Sequence, residues 1–151
     1  MKLPEFLFRK SFLGIFSITW AVIIATVSSI PNLPNPEIPE NNWVSFRLDY
    51  LFHFLVFFIL GIAVVLWQVP GNLKFSIKSL VVILIAGSTF GIIDEMHQLI
   101  IPGRRYNPID LCYNLFGFWA GGLLTYLFFI RYLIVNRGWF SGIREMLESR
   151  V

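Results

Sequence analysis

The sequence predicts an all-α integral membrane protein, a single domain over residues 1–151 that forms a bundle of four transmembrane helices with both termini in the cytoplasm. Composition is the first reason, because 56% of the residues are hydrophobic and 14% are charged, against about 25% charged in ordinary soluble domains. Several apolar runs also approach the roughly 20 residues that a helix needs to cross a bilayer. Lys and Arg lie near the ends of these runs, which is typical of a membrane topology signal.

The first predicted span covers about residues 12–30, which contain no charged residue. A cleaved signal peptide is the alternative, because Arg9 and Lys10 precede the run and the small residues Ser28 and Ser29 end it. The apolar part of a signal peptide usually has about 7–15 residues, however, and this run is longer. We therefore expect a retained helix that stops at Pro31, where a proline-rich loop begins.

Three further spans are predicted at about residues 48–69, 77–99 and 109–130. Pro70, Gly71 and Asn72 form a turn after the second of them. The tail, residues 131–151, alternates basic and apolar residues and is expected to be a cytoplasmic, amphipathic segment on the membrane surface.

The positions of Lys and Arg predict the orientation of the four spans. One side of the membrane carries nine of the chain's twelve basic residues, namely Lys2, Arg9, Lys10, Lys74, Lys78, Arg131, Arg137, Arg144 and Arg150. We expect that side to be cytoplasmic. The net charge of +3 is small, and the basic residues lie near the ends of the apolar runs and do not form one basic patch. No nucleic acid is therefore expected as a partner.

With this orientation, the polar residues of three spans meet at the extracytoplasmic end of the bundle. The candidate polar site consists of Asp49, His53, Asp94, Glu95, Gln98, Arg104, Asp110 and Asn114. Asp49 and His53 are four residues apart and share a helix face. That spacing fits a functional pair and an interfacial structural pair equally well, whereas His97 points in another direction and is expected to be interfacial.

Asp94 and Glu95 are the candidate catalytic residues, because carboxylates inside a membrane are costly and usually functional. They also lie near a helix C-terminus, where the helix dipole favours cations. The structural alternative is a salt bridge to Arg104. Arg104 itself follows the Pro102-Gly103 turn, and its guanidinium can bind a phosphate or carboxylate through two parallel hydrogen bonds.

Asn107 and Pro108 predict the start of the last span, with Asn107 as the capping residue and Asp110 in the first turn. Asn114 lies one turn deeper and is not explained by capping. Gly117 and Gly121 continue its stripe as a G-x-x-x-G pattern, which lets another helix approach closely. We expect Asn114 to face a partner helix, and a homodimer through Gly117 and Gly121 is a candidate arrangement.

The chain resembles the VanZ-like family of bacterial integral membrane proteins in four motifs that cover roughly residues 48–122. They are Asp-x-x-x-His in LDYLFHFLVFFILG, then DEMHQ, then PGR, and D-x-x-x-N-x-x-G in DLCYNLFG. The chain departs from the family at Tyr50, Phe57 and Asn107, where Lys, Tyr and Ser are frequent. The resemblance implies a multi-pass protein of the bacterial inner membrane, with a founding member linked to glycopeptide (teicoplanin) resistance, but it supplies no reaction.

We therefore expect recognition of an anionic envelope component, such as a lipid phosphate or a carboxylate-bearing precursor, with an effect on glycopeptide susceptibility. Arg104 would bind the anion, Gln98 and Asn114 would orient it, and Glu95 or Asp94 would act as a general base if there is turnover. The alternative is a non-enzymatic scaffold or partner subunit whose polar cluster is a structural clamp. A transporter is less well supported, because four spans are few and no repeat is visible. No cofactor is expected, and no ligand spacing specifies a metal.

Overall fold

The computed structural model describes residues 10–32, 48–68 and 76–130, and every regular element in these ranges is helical. The helices are α1 (Lys10–Ser28), α2 (Leu48–Gln68), α3 (Ile77–Gln98) and α4 (Pro108–Thr125), and a π-helical turn, Tyr126–Ile130, extends α4. All four are long and apolar enough to cross a membrane, as predicted. Most of the proline-rich loop and the amphipathic tail lie outside the described residues.

Side-chain caps fix the starts of the last two helices. Ser76 precedes α3 and accepts a hydrogen bond from the backbone N–H of Ser79 at 3.2 Å. Asn107 caps α4 by accepting from the N–H of Ile109 at 3.0 Å, and Pro108 occupies the first turn. Both arrangements satisfy backbone donors that a helix N-terminus leaves without a partner. The predicted start of the fourth span is confirmed.

The turn between α3 and α4 is tied to the end of α1. The N–H of Asn32 donates to the carbonyl of Pro102 at 3.1 Å. Gly103 follows with a φ of 75°, and a Cβ on it would collide with the side chain of Asn32. A glycine is required at this position for both reasons.

Helices α2 and α4 meet along a seam in which their backbones touch. A Cβ added to Gly117 or Gly121 would collide with the carbonyl oxygens of Phe54 and Phe58, and one added to Gly61 would collide with that of Phe118. The G-x-x-x-G pattern therefore does bring two helices together, as expected. Both helices belong to the same chain, so this face is already occupied, and a homodimer through Gly117 and Gly121 is not the arrangement seen.

A small apolar core fills the bundle beside this seam. Its buried members are Ile24, Phe57, Leu60, Val65, Leu80, Ile83, Leu84 and Phe118. The Phe118 ring packs where Gly87 of α3 has no side chain. Helix α1 joins the bundle through Trp20, whose indole N–H donates to the carbonyl of Val56 at 2.9 Å.

The outward faces of the helices are apolar. Large exposed side chains on α3 include Val81, Val82 and Ile85, with Val82 65% exposed. Such a surface is unfavourable in water and suits the hydrocarbon of a bilayer. The buried carboxyl and amide side chains, by contrast, lie inside one end of the bundle.

Candidate functional site

The start of α2, the end of α3 and the start of α4 converge at one end of the bundle, which we call the polar end. It contains the predicted set Asp49, His53, Asp94, Glu95, Gln98, Arg104, Asp110 and Asn114. Five of these residues are buried, with exposed fractions of 4% for Asp94, 0% for Glu95, 2% for Gln98, 8% for Asp110 and 0% for Asn114. Buried polar groups are costly unless other polar groups satisfy them.

His53 connects α2 to α4. Its Nδ1 lies 3.0 Å from the side-chain oxygen of Asn114. An amide oxygen only accepts, so Nδ1 carries the proton and donates. The other ring nitrogen, Nε2, lies 3.9 Å from Oδ2 of Asp110. The prediction that Asn114 faces another helix is confirmed, and the partner is His53.

Glu95 is held by neutral donors. The side-chain amide of Gln98 donates to one carboxylate oxygen at 3.2 Å, and the backbone N–H of Asn107 donates to the other at 3.4 Å. The capping residue of α4 therefore also contacts the last turn of α3. Glu95 also lies close to His53 and Asp110. One side-chain nitrogen or oxygen atom from each of these three residues lies within 4.8 Å of the other two. Sequence spacing did not specify this grouping.

Asp94 points toward α1. The Ser28 hydroxyl donates to its Oδ2 at 2.9 Å, and both residues are buried. The sequence analysis missed Ser28 as a partner, because its small size indicated a cleavage site. The contact could have been predicted from the position of the Ser28 hydroxyl, which lies at the end of the first span and at the same depth in the bundle as the carboxylate of Asp94.

The structural alternative, a salt bridge from Arg104 to Asp94 or Glu95, is not formed among the described residues. None of the ion pairs seen there joins Arg104 to either carboxylate, and its buried Nε has no hydrogen-bond partner there. Serine, glutamine and backbone donors satisfy the carboxylates instead. Arg104 is thereby left able to bind something else.

A cavity of about 930 Å³ opens at the polar end. Its polar lining comprises Ser28, Asp49, His53, Asp94, Gln98, Arg104, Arg105, Asn107 and Asp110. Its apolar lining comes mainly from α1 and α2, with Trp20, Ile23, Val27, Phe52 and Val56 among the contributors. The cavity is large enough for a small-molecule ligand. Trp20 is a further residue that the sequence analysis did not select.

Two of the predicted site residues lie outside the cavity. Glu95 and Asn114 do not line the cavity but lie directly beneath residues that do. Asp49 lines it, and its Oδ1 accepts from the N–H of Tyr50 at 3.1 Å. His97 is half-buried and does not line the cavity, in agreement with its expected separation from the site.

No family model, no curated protein and no solved structure matches the chain. The resemblance to VanZ-like proteins therefore rests on the four motifs alone. Those motifs supply His53, Glu95, Gln98, Arg104, Asp110 and Asn114, which the fold brings to the polar end.

Proposed function

We propose that the chain binds an anionic amphiphile of the bacterial cell envelope in the cavity at its polar end. The carrying observation is the composition of the cavity wall, in which two guanidinium groups and an apolar face accompany the carboxyl groups of Asp49, Asp94 and Asp110. Arg104 and Arg105 line it together with Trp20, Ile23 and Val56. This pairing of a cationic part and an apolar part matches a molecule with an anionic head group and a hydrocarbon tail.

The depth of the cavity supports a lipid-like ligand. Ser28 and Trp20 both line it, and they are two helical turns apart on α1, a separation of about 12 Å. Ser28 lies level with Asp94, whereas Trp20 lies toward the middle of the bundle. The wall therefore changes from polar to apolar along α1. The proposed ligand would change in the same direction, from a polar head group to an apolar acyl chain.

Arg104 is the residue that would hold the head group. Its Nε is buried and has no hydrogen-bond partner among the described residues, so a phosphate or carboxylate would satisfy it. Gln98 lines the cavity and would orient the bound group, whereas Asn114 lies outside the cavity and would act only through His53. Of the two candidate bases, Asp94 lines the cavity and Glu95 does not, so Asp94 is the one that would act as a general base in any turnover.

The proposal places the chain in the inner membrane of a bacterium, as a VanZ-like protein with both termini cytoplasmic. The excess of Lys and Arg on one side supports this orientation, and the four motifs support the family. In that orientation the polar end faces the extracytoplasmic side, where lipid-linked envelope precursors and glycopeptides such as teicoplanin meet. An altered susceptibility to these antibiotics would follow.

Lipid binding by two arginine variants tests the proposal. The purified protein in phosphatidylcholine nanodiscs is titrated with fluorescent phosphatidylglycerol, with inorganic phosphate as a separate competitor. Arg104→Gln should weaken lipid binding at least about tenfold, because hydrogen bonds to charged groups contribute about 1.5–3 kcal/mol. Arg105→Gln is the matched control, because Arg105 is exposed and should matter less.

Two outcomes would overturn the proposal. One is equal affinity for phosphatidylglycerol and a fluorescent phosphatidylcholine. The other is unchanged affinity in Arg104→Gln. Displacement of the lipid by inorganic phosphate alone would show that the head group supplies most of the affinity and the apolar wall little. Teicoplanin susceptibility of cells that express each variant at equal levels provides the readout in the membrane.

A structural clamp is the second candidate, and the hydrogen bonds at the polar end favour it. Ser28–Asp94 joins α1 to α3, His53–Asn114 joins α2 to α4, and Asn107–Glu95 joins α3 to α4. None of these bonds involves Arg104, so a clamp of this kind should keep its function in Arg104→Gln. Ligand binding through Arg104 should not survive that variant, so wild-type susceptibility in Arg104→Gln at equal expression would favour the clamp.

A further inference from the structure

We propose that His53, Glu95 and Asp110 bind one divalent transition-metal ion, for which Zn²⁺ is the first probe. Imidazole nitrogen and carboxylate oxygen are ligands that Zn²⁺ takes in proteins, and three protein ligands are typical of a site that keeps a further position open. The site would lie at the base of the cavity, since His53 and Asp110 line it and Glu95 is fully buried beside them.

The spacing of the ligand atoms fits a shared ion. One atom from each residue lies within 4.8 Å of the other two, and Nε2 of His53 is 3.9 Å from Oδ2 of Asp110. That separation is too long for a hydrogen bond. Two atoms that each lie about 2.1 Å from a common Zn²⁺ are at most about 4.2 Å apart. A small inward rotation of the carboxylates would therefore bring all three atoms to one ion.

The neutral tautomer of His53 that fits its bond to Asn114 is the one that metal binding requires. When Nδ1 donates to the side-chain oxygen of Asn114, the lone pair of the neutral ring is on Nε2, which faces the carboxylate of Asp110. A metal ion between Nε2 and this carboxylate would be bound by both. Metal-binding histidines typically donate their second ring N–H to an oxygen in this way, which fixes the ring.

Charge at the polar end also favours a cation. Glu95 is fully buried, and its hydrogen bonds come from the neutral groups of Gln98 and Asn107. Buried charges in proteins are usually paired or bind metals.

The metal site does not depend on the proposed lipid function. If the open position of the ion faced the cavity, the ion and Arg104 would bind the anionic head group together. Only this contact with the head group rests on the proposed function. Metal binding is therefore measured without added lipid, so that its failure and the failure of lipid binding are separate results.

Metal content and cobalt spectroscopy test the proposal on full-length protein that carries no polyhistidine tag. After chelation and reloading, the wild type should retain about one Zn²⁺ per chain. Co²⁺ in its place should show visible d–d bands without a thiolate charge-transfer band. A thiolate band would assign the ion to Cys112 and overturn the proposal, as would the lack of d–d bands together with no retained zinc.

Matched variants locate the site. His53→Asn and Glu95→Gln should each lower Zn²⁺ affinity more than about 100-fold, and Asn114→Leu, which acts only through His53, about 10–100-fold. His97→Asn replaces the other histidine of the chain and should retain the metal. Equal loss in His53→Asn and His97→Asn would indicate adventitious binding and overturn the site. The wild-type spectrum decides the case even if a variant fails to fold.

Discussion

The seam between α2 and α4 and the polar end differ in how much room their backbones leave. At the seam, Gly117 and Gly121 are pressed against the carbonyls of Phe54 and Phe58, with no space for even a Cβ. At the polar end, helices that start or finish side by side leave a cavity of about 930 Å³ between them. The close contacts of the seam hold α2 and α4 together, whereas the room at the polar end fits the proposal that this end binds a ligand.

The two regions also use polar residues differently. The seam consists of glycines and aromatic side chains, with a buried hydroxyl, Thr125, that bonds back to its own helix at Gly121. At the polar end, side chains from four helices bond to one another, and donors on Arg104 and Asn114 remain without hydrogen-bond partners in the described ranges. A region built only for stability would satisfy these donors internally. Variants of both regions can test the contrast.

Overpacking the seam should have the largest effect on stability. Gly117→Leu places a side chain against the carbonyl of Phe54, so we expect a loss of at least about 3 kcal/mol in the free energy of unfolding. Gly122→Ala is the matched control, because its Cβ would meet Leu84 at 3.3 Å and Val65 at 3.5 Å. Unfolding in detergent micelles gives the measurement. Equal stability of the two variants would contradict a close-packed seam.

Removing the partner of His53 should have an intermediate effect. Asn114→Leu leaves the Nδ1–H of His53 without an acceptor, which should cost about 1–3 kcal/mol. Cys112→Leu, on the exposed face of the same helix, should change little. The same unfolding experiment compares them. If Asn114→Leu left the free energy of unfolding unchanged, the His53–Asn114 bond would not be one of the contacts that hold α2 to α4.

The bond between α1 and α3 should contribute less. Ser28→Ala removes the hydroxyl that donates to Asp94, with an expected loss of about 1 kcal/mol. Thr26→Ala serves as control, because the Thr26 hydroxyl donates to the carbonyl of Val22 within its own exposed helix face. If Thr26→Ala lowered the free energy of unfolding more than Ser28→Ala, the bond to Asp94 would not be one of the contacts that hold α1 in the bundle.

Filling the cavity should have the smallest effect on stability. Val27→Trp adds an indole where the wall of the cavity has room, and we expect a change within about 0.5 kcal/mol. Lipid binding, in contrast, should be lost. Val82→Trp adds the same side chain to the exposed face of α3 and should leave both properties intact. Strong destabilisation by Val27→Trp would mean that the cavity is as tightly packed as the seam.

Much of the fold could be predicted from local signals. Apolar runs predicted the four helices, Asn107-Pro108 predicted the start of α4, and the stripe Asn114, Gly117, Gly121 predicted a close helix contact. These features depend on a few neighbouring residues or on one helix face. The identity of the helix that occupies the stripe was not predicted, because a glycine pattern does not distinguish a helix of the same chain from one of a second copy.

The site was predicted as a set of residues but not as a set of contacts. Topology brought Asp94, Glu95 and Arg104 to the same end, and opposite charges suggested a salt bridge that the structure does not form. The contacts of Ser28 with Asp94, and of His53 with Asp110, depend on the rotation of each helix about its axis. That rotation is set by packing between helices, at the seam in the case of α2 and α4, and is not encoded in spacing along one helix.

Photo-crosslinking tests most directly whether the polar end binds an anionic amphiphile. The protein is incubated in phosphatidylcholine nanodiscs with a phosphatidylglycerol that carries a photoreactive acyl chain, and labelled residues are mapped by mass spectrometry. The account predicts labelling of Val27 and Val56 in the cavity wall, and its loss in Arg104→Gln but not in Arg105→Gln. Labelling spread equally over exposed residues such as Val82 and Ile85, and unchanged in Arg104→Gln, would contradict it.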